Sequence, residues 1–292
     1  MMRRSNGIGL WESPVVRTRV QTALLVLLLG VCPAIAQGGA DPSKTVLQTD
    51  PAMLPTRIEI GAYQSWVNQG LGNWRGLNAE LWLRRRSRFV SGLAVDSETR
   101  PTGTQQNYAF LSFMNWTPSF YTTQCVSGAP RRSDTAVYFP KIRYDVRANW
   151  KLPPGQRVIL GAGFTHFDFG GPFEGEIYNL GSLYYRGKLV LAGDLFINRS
   201  RPGNLTSASG SVSLQYGTEG KYWIGLTGSG GQELYRIELY TPLDVRLNSF
   251  TVDLFYRRWI SRHVGYLVRA TYHDKLESYR RAGVSGRLFF DF

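Results

Sequence analysis

From about Thr56 onward the chain repeats one pattern, an alternating apolar and polar stretch of roughly 9–13 residues followed by a polar turn. Residues 141–151 show it most cleanly. Ile142, Tyr144, Val146, Ala148 and Trp150 share one parity, and Lys141, Arg143, Asp145, Arg147, Asn149 and Lys151 share the other. A strand turns successive side chains to opposite faces, so this segment has one greasy and one charged face. Val264, Tyr266, Val268, Ala270 and Tyr272 oppose His263, Gly265, Arg269, Thr271 and His273 in the same way. Leu189, Leu191, Leu195 and Ile197 oppose Lys188, Asp194 and Asn198, and Val212, Leu214 and Tyr216 oppose Ser211, Ser213 and Gln215. Soluble sandwiches alternate too, but their strands are about 5–6 residues long, whereas a tilted membrane strand needs about 9–11. Aromatics close both ends of the apolar faces, as interfacial girdles do. Whole charges on the other face (Arg143, Asp145, Arg147, Asp194, Asp253, Arg257 and Arg269) fit a hydrated lumen and not a dry core. The pattern predicts an all-β transmembrane antiparallel up-and-down barrel.

Short polar connections at residues 84–88, 152–155, 186–187, 217–220 and 261–262 are expected to be periplasmic. Longer ones near 97–106, 125–136, 169–175, 199–208, 229–247 and 273–280 are expected outside. Both termini then lie in the periplasm and the strand number is even. It is 14 if Asn115-Trp116-Thr117-Pro118 is a turn and 12 if that region or residues 56–68 fail to form strands, so the expectation is 12–14. On the last segment Val284, Leu288, Phe290 and the terminal Phe292 share one face, which resembles the signal by which such barrels are recognised by the assembly machinery.

The start of the chain assigns a compartment. Arg3, Arg4, Arg17 and Arg19 precede an apolar core, Ala23 to Leu29, and a small-x-small site, Ala34-Ile35-Ala36. Residues 1–36 therefore read as a cleaved signal peptide, 37–55 as a periplasmic linker and 56–292 as the barrel. Cleavage removes Cys32 and leaves Cys125 without a disulfide partner. The formal net charge of +13 over 292 residues remains clearly positive after the leader is lost. Export turns that charge away from nucleic acid and toward lipopolysaccharide, acidic polysaccharide or small anions. Hydrophobic residues at 43% exclude a disordered chain.

Several landmarks resemble the YaiO family of outer-membrane β-barrel proteins. They are Tyr138-Phe139-Pro140-Lys141-Ile142-Arg143, then Trp150-Lys151-Leu152-Pro153, Gly161-Ala162-Gly163, Tyr178, Gly181, Tyr184-Tyr185-Arg186-Gly187, Leu214-Gln215-Tyr216-Gly217, Gly228-Ser229-Gly230-Gly231 and Arg257-Arg258-Trp259. The resemblance covers roughly 56–292. It implies outer-membrane location and a barrel fold, and no particular reaction.

Candidate chemistry centres on the lumen. Arg143, Arg147, Arg257 and Arg269 come from separate strands, with Asp145, Asp194 and Asp253 as expected partners. Rings of arginine lower the barrier to anions, so the expected function is a narrow pore favouring anions or acidic saccharides. The same residues could instead form an ion-pair network that closes a structural barrel binding lipopolysaccharide. A third reading is a surface enzyme acting on lipid or peptide, built on His166 with Asp168 and His273 with Asp274, with Ser200 or Ser278 as nucleophile. Arg84 to Arg88 read as an interfacial turn, and Arg131-Arg132 and Arg280-Arg281 as loop residues facing lipopolysaccharide phosphates. No cofactor and no metal site is expected, since no histidine or cysteine cluster has ligand spacing.

Overall fold

The computed structural model describes residues 54–292, apart from 86–87, 131–136, 237–242 and 277. The expected leader and most of the expected linker lie outside the described residues. Fourteen strands follow in order: β1 (Thr56–Val67), β2 (Asn73–Arg85), β3 (Phe89–Arg100), β4 (Gly103–Thr117), β5 (Phe120–Gly128), β6 (Ile142–Leu152) and β7 (Val158–Gly170), then β8 (Phe173–Arg186), β9 (Leu189–Arg201), β10 (Leu205–Thr218), β11 (Tyr222–Arg236), β12 (Leu243–Trp259), β13 (Val264–Lys275) and β14 (Tyr279–Asp291). Each pairs antiparallel with its sequence neighbour, and β14 pairs with β1 from Arg57↔Asp291 to Val67↔Arg281, so the barrel closes and no edge remains. Thr56 and Phe292 complete the seam through reciprocal backbone hydrogen bonds. The strand number is 14, the upper of the two expected values. The β4–β5 turn falls at residues 118–119, just after the Asn115–Thr117 irregularity in register.

Alternation becomes an inside and an outside as expected. Ile142, Tyr144, Val146 and Trp150 face outward and are exposed, as are Leu191, Leu195, Ile197, Val268 and Tyr272. Leu77 and Leu180 are each 66% exposed, a placement that only acyl chains stabilise when so many neighbours share it. Trp116, Phe120, Trp150, Tyr184 and Tyr216 ring the end that carries the termini. Tyr108, Tyr144, Tyr178, Phe250 and Tyr272 ring the other end.

The long external loops expected from the sequence are mostly not loops. Residues 97–106, 169–175, 199–208 and 273–280 are strand interrupted by connections at 101–102, 171–172, 202–204 and 276–278. Beyond the apolar band both faces of a strand meet water, so the alternation that marks a strand fades although the ladder continues. The 229–247 stretch is likewise strand at both ends around residues 237–242. Between the described strands the connection from 129 to 141 is the longest.

Candidate functional site

The lumen divides into two halves. Toward the terminal rim it is filled. Trp82, Val90, Phe113, Tyr121, Ile159, Leu183, Val190 and Ala192 form one buried cluster across β2–β9. Phe255, Leu267, Trp259 and Phe289 fill the opposite wall. The aromatics fit because the strand beside each supplies a glycine. Phe255 pairs with Gly225, Phe289 with Gly265 and Trp82 with Gly92. A Cβ on Gly225 would lie 2.2 Å from the Phe255 ring, and one on Gly265 would lie 2.1 Å from that of Phe289.

A layer of ion pairs is interleaved with this packing, Arg57 and Asp291 standing nearest the terminal rim. Arg257 Nη2 donates to Glu59 Oε1 at 2.7 Å, and Arg287 Nη1 donates to Glu80 Oε1 at 2.8 Å while standing 3.8 Å from Glu59. Arg57 donates twice to Asp291, at 2.7 and 2.9 Å. The Arg57 and Arg257 guanidiniums lie 4.9 and 5.0 Å from the Phe289 ring centre. Across the barrel Arg147 pairs with Asp194 at 2.6 Å, and Asp194 has no exposed surface. Glu59 is 1% exposed and Arg257 3%. A water-filled path through this level would expose them, so the lumen is occluded here.

The half toward the other rim is a cup of about 340 Å³. Asn78, Thr227 and Arg287 lie at its base, and Arg100, Arg143, Arg269 and Arg281 line its walls with Asp96, Glu98 and Asp253. Arg143 pairs with Asp145 at 2.6 Å, and Thr271 donates to Asp253 at 2.5 Å. Part of the mouth is covered from within. Val137–Pro140 fold into the barrel, where Val137 packs on Phe167 and Phe169, and Tyr138 and Phe139 pack on Ala129. The backbone N–H groups of Tyr138 and Phe139 both donate to Gln105 Oε1, at 2.6 and 2.8 Å. Burial pushes the Tyr138 phenol above its usual pKa. It donates to the Gly103 carbonyl at 3.0 Å and lies under Arg100, 4.3 Å from ring centre to guanidinium. Gln105→Leu strands two buried N–H groups, each at a cost of about 1–3 kcal/mol. Hydrogen exchange at 138–139 in this variant is expected to accelerate at least about tenfold while the ladder of β13–β14 keeps its protection.

Arg143, Asp253 and Arg269 line the cup, Arg147, Asp194 and Arg257 sit in the ion-pair layer, and Asp145 is held on Arg143. Three partners were missed or exchanged: Arg257 meets Glu59 and not an aspartate, Arg287 joins the layer, and Arg57 anchors on Asp291. These pairs join residues far apart in sequence, and only the closure of β14 on β1 brings them together. Toward the terminal rim the lumen parity also carries apolar residues, which the charged positions alone did not announce. The two histidines of the surface-enzyme reading are not brought together. His166 faces outward, stacked on Tyr144 at 5.3 Å, whereas His273 faces the lumen and shares a hydrogen bond with Thr251 at 2.8 Å. Asp274 sits on the opposite face of β13 from His273 and binds Arg280. Arg84 turns inward to the Leu54 carbonyl, and Arg280 and Arg281 diverge to opposite faces. Arg131 and Arg132 lie outside the described residues. Val284, Leu288 and Phe292 are exposed on the outer wall, with Phe290 on the same face and Phe289 behind them in the lumen. Cys125 is a free thiol on the lumen side. Among the described residues no group of histidine, cysteine and carboxylates could hold a metal.

Solved structures share the architecture. The chain is similar to a bacterial polysaccharide outer membrane secretin at 6% identity and a TM-score of 0.55, covering 82% of this chain and 99% of that one. It is similar to the CymD monoaromatic hydrocarbon channel at 11% identity and a TM-score of 0.55, covering 91% and 98%. At these identities the likeness shows the fold alone. Among curated proteins none matches the chain. The family model of the YaiO membrane beta barrel domain matches residues 55–236, more than half of the chain. This protein belongs to the YaiO membrane beta barrel family.

Proposed function

We propose that the chain is an outer-membrane channel for anionic solutes, held closed here by its layer of ion pairs. The terminal rim is periplasmic and the cup opens to the outside. Tight connections at the terminal rim and the long 129–141 connection at the other support that orientation. The observation that carries the reading is the composition of the cup, whose lining presents Arg100, Arg143, Arg199, Arg269, Arg281 and Arg287 against Asp96, Glu98 and Asp253, with Asp145 and Glu80 held on Arg143 and Arg287. In an enclosed lumen an excess of guanidinium lowers the barrier to anions and raises it to cations. The floor is a gate and not a continuous core, because its central layer is made of charges that water and solute can replace.

Planar-bilayer recording tests this. The wild-type barrel is expected to stay closed most of the time. The triple variant Glu59→Ala, Arg257→Ala, Phe289→Ala opens a gap in the layer and in the packing beside it and is expected to conduct steadily, with a reversal potential displaced toward the anion in a salt gradient. A folded triple variant that is silent supports a closed structural barrel instead, and a cation-selective one overturns the reading.

A further inference from the structure

Most of the cup is not charged. On β10–β13 the lumen positions form two cross-strand rows of small polar residues, hydroxyls except for Asp253 in the second. Ser211 pairs with Ser229 and Ser229 with Thr251. Ser213 pairs with Thr227, Thr227 with Asp253 and Asp253 with Thr271. Directly opposite residues in antiparallel strands stand about 4.5–5.5 Å apart, so these rows make a continuous polar wall over four strands. Their small side chains leave open the volume that aromatics occupy on the terminal side.

Parts of this wall and the facing base are unsatisfied within the protein. Ser211 Oγ, Thr227 Oγ1 and, across the cup, Asn78 Oδ1 are buried and accept or donate no hydrogen bond. The three residues are more than nine-tenths buried. A buried hydroxyl left without a partner costs about 1–3 kcal/mol, and an apolar residue would avoid that cost. Thr227 and Asn78 both line the cup.

We propose that the cup binds an acidic saccharide, with the sugar hydroxyls on the wall of β10–β13 and the anionic group on Arg269 and Arg281. The proposal rests on the anion reading above and names the solute's class. A simple inorganic anion would engage the guanidiniums and leave the wall unused. A ligand with many hydroxyls and few charges matches both, since each serine or threonine hydroxyl donates once and accepts twice. The cup volume is at the lower end of the range for small-ligand sites, about 300–1,000 Å³, and suits one or two sugar units at a time.

Calorimetric titration of the full mature barrel in detergent, with three probes, decides it. An oligogalacturonate is expected to bind at least about tenfold tighter than sodium sulfate and than a neutral malto-oligosaccharide of equal length. In the variant Thr227→Val, Ser229→Ala, whose residues both line the cup, the ratio of uronate to sulfate affinity is expected to fall about tenfold or more. These substitutions remove only hydroxyls or replace one by a methyl, and a heat-shifted gel band confirms the folded barrel. Uronate binding no tighter than sulfate overturns the proposal, as does an unchanged ratio in the variant or equal binding of the neutral sugar. Any of these results leaves the anion reading to be judged by the reversal potential alone.

Discussion

Glu59→Ala is expected to cost about 3–5 kcal/mol of barrel stability, the range for removing one partner of a buried ion pair. Glu59 is the acid on which the layer converges. It accepts from Arg257 at 2.7 Å and stands 3.9 and 3.8 Å from Arg57 and Arg287. Its loss leaves Arg257, itself 3% exposed, without this carboxylate. Reversible urea unfolding in lipid vesicles measures the change. Adding Arg257→Ala is expected to restore part of it, because the stranded charge leaves with its partner and the two effects are strongly coupled. A single variant within about 1 kcal/mol of wild type would show that water already reaches the layer, contrary to an occluded lumen.

Leu180→Arg is expected to lower stability by about 2–4 kcal/mol, the cost of an arginine at the middle of the lipid-facing band. Leu180 is 66% exposed between Tyr178 and Tyr184 on the outer wall, opposite Leu195 and Ala162. In a water-exposed wall the same change would be nearly neutral. Ser209→Arg, which places the same side chain in the cup, is expected to cost less than about 1 kcal/mol. Equal costs at the two positions would mean that the two faces do not meet different solvents.

The wall of this barrel was legible in the sequence, and its interior only in part. Ile142 to Trp150 and Val264 to Tyr272 announce their faces because lipid and water impose a strict period of two along a membrane strand. The parity of Arg143, Asp145, Arg147 and Asp194 followed from the same rule. Which charges meet did not follow. The Arg257–Glu59 pair spans 198 positions and depends on the closure of β14 on β1. The plug was hidden for a different reason. Val90, Phe113, Ile159 and Leu267 occupy lumen parity, so they read as breaks in alternation and not as a core. Only cross-strand register shows that Phe255 and Phe289 lie over Gly225 and Gly265. The Tyr138-Phe139-Pro140 segment was visible as a landmark, but its inward fold depends on Gln105, more than thirty residues earlier. The strand ends near the mouth were misread as loops because outside the bilayer nothing enforces the period.

Nitroxide labels on single cysteines in a Cys125→Ser background, in lipid vesicles, test the central claim most directly. Labels at positions 146, 180 and 268 are predicted to collide with dissolved oxygen and to be hidden from a water-soluble nickel chelate. Labels at positions 229 and 251, one strand apart in the cup, are predicted to show the reverse. Should the first group respond to nickel and the second to oxygen, the assignment of lipid to one face and water to the other is wrong.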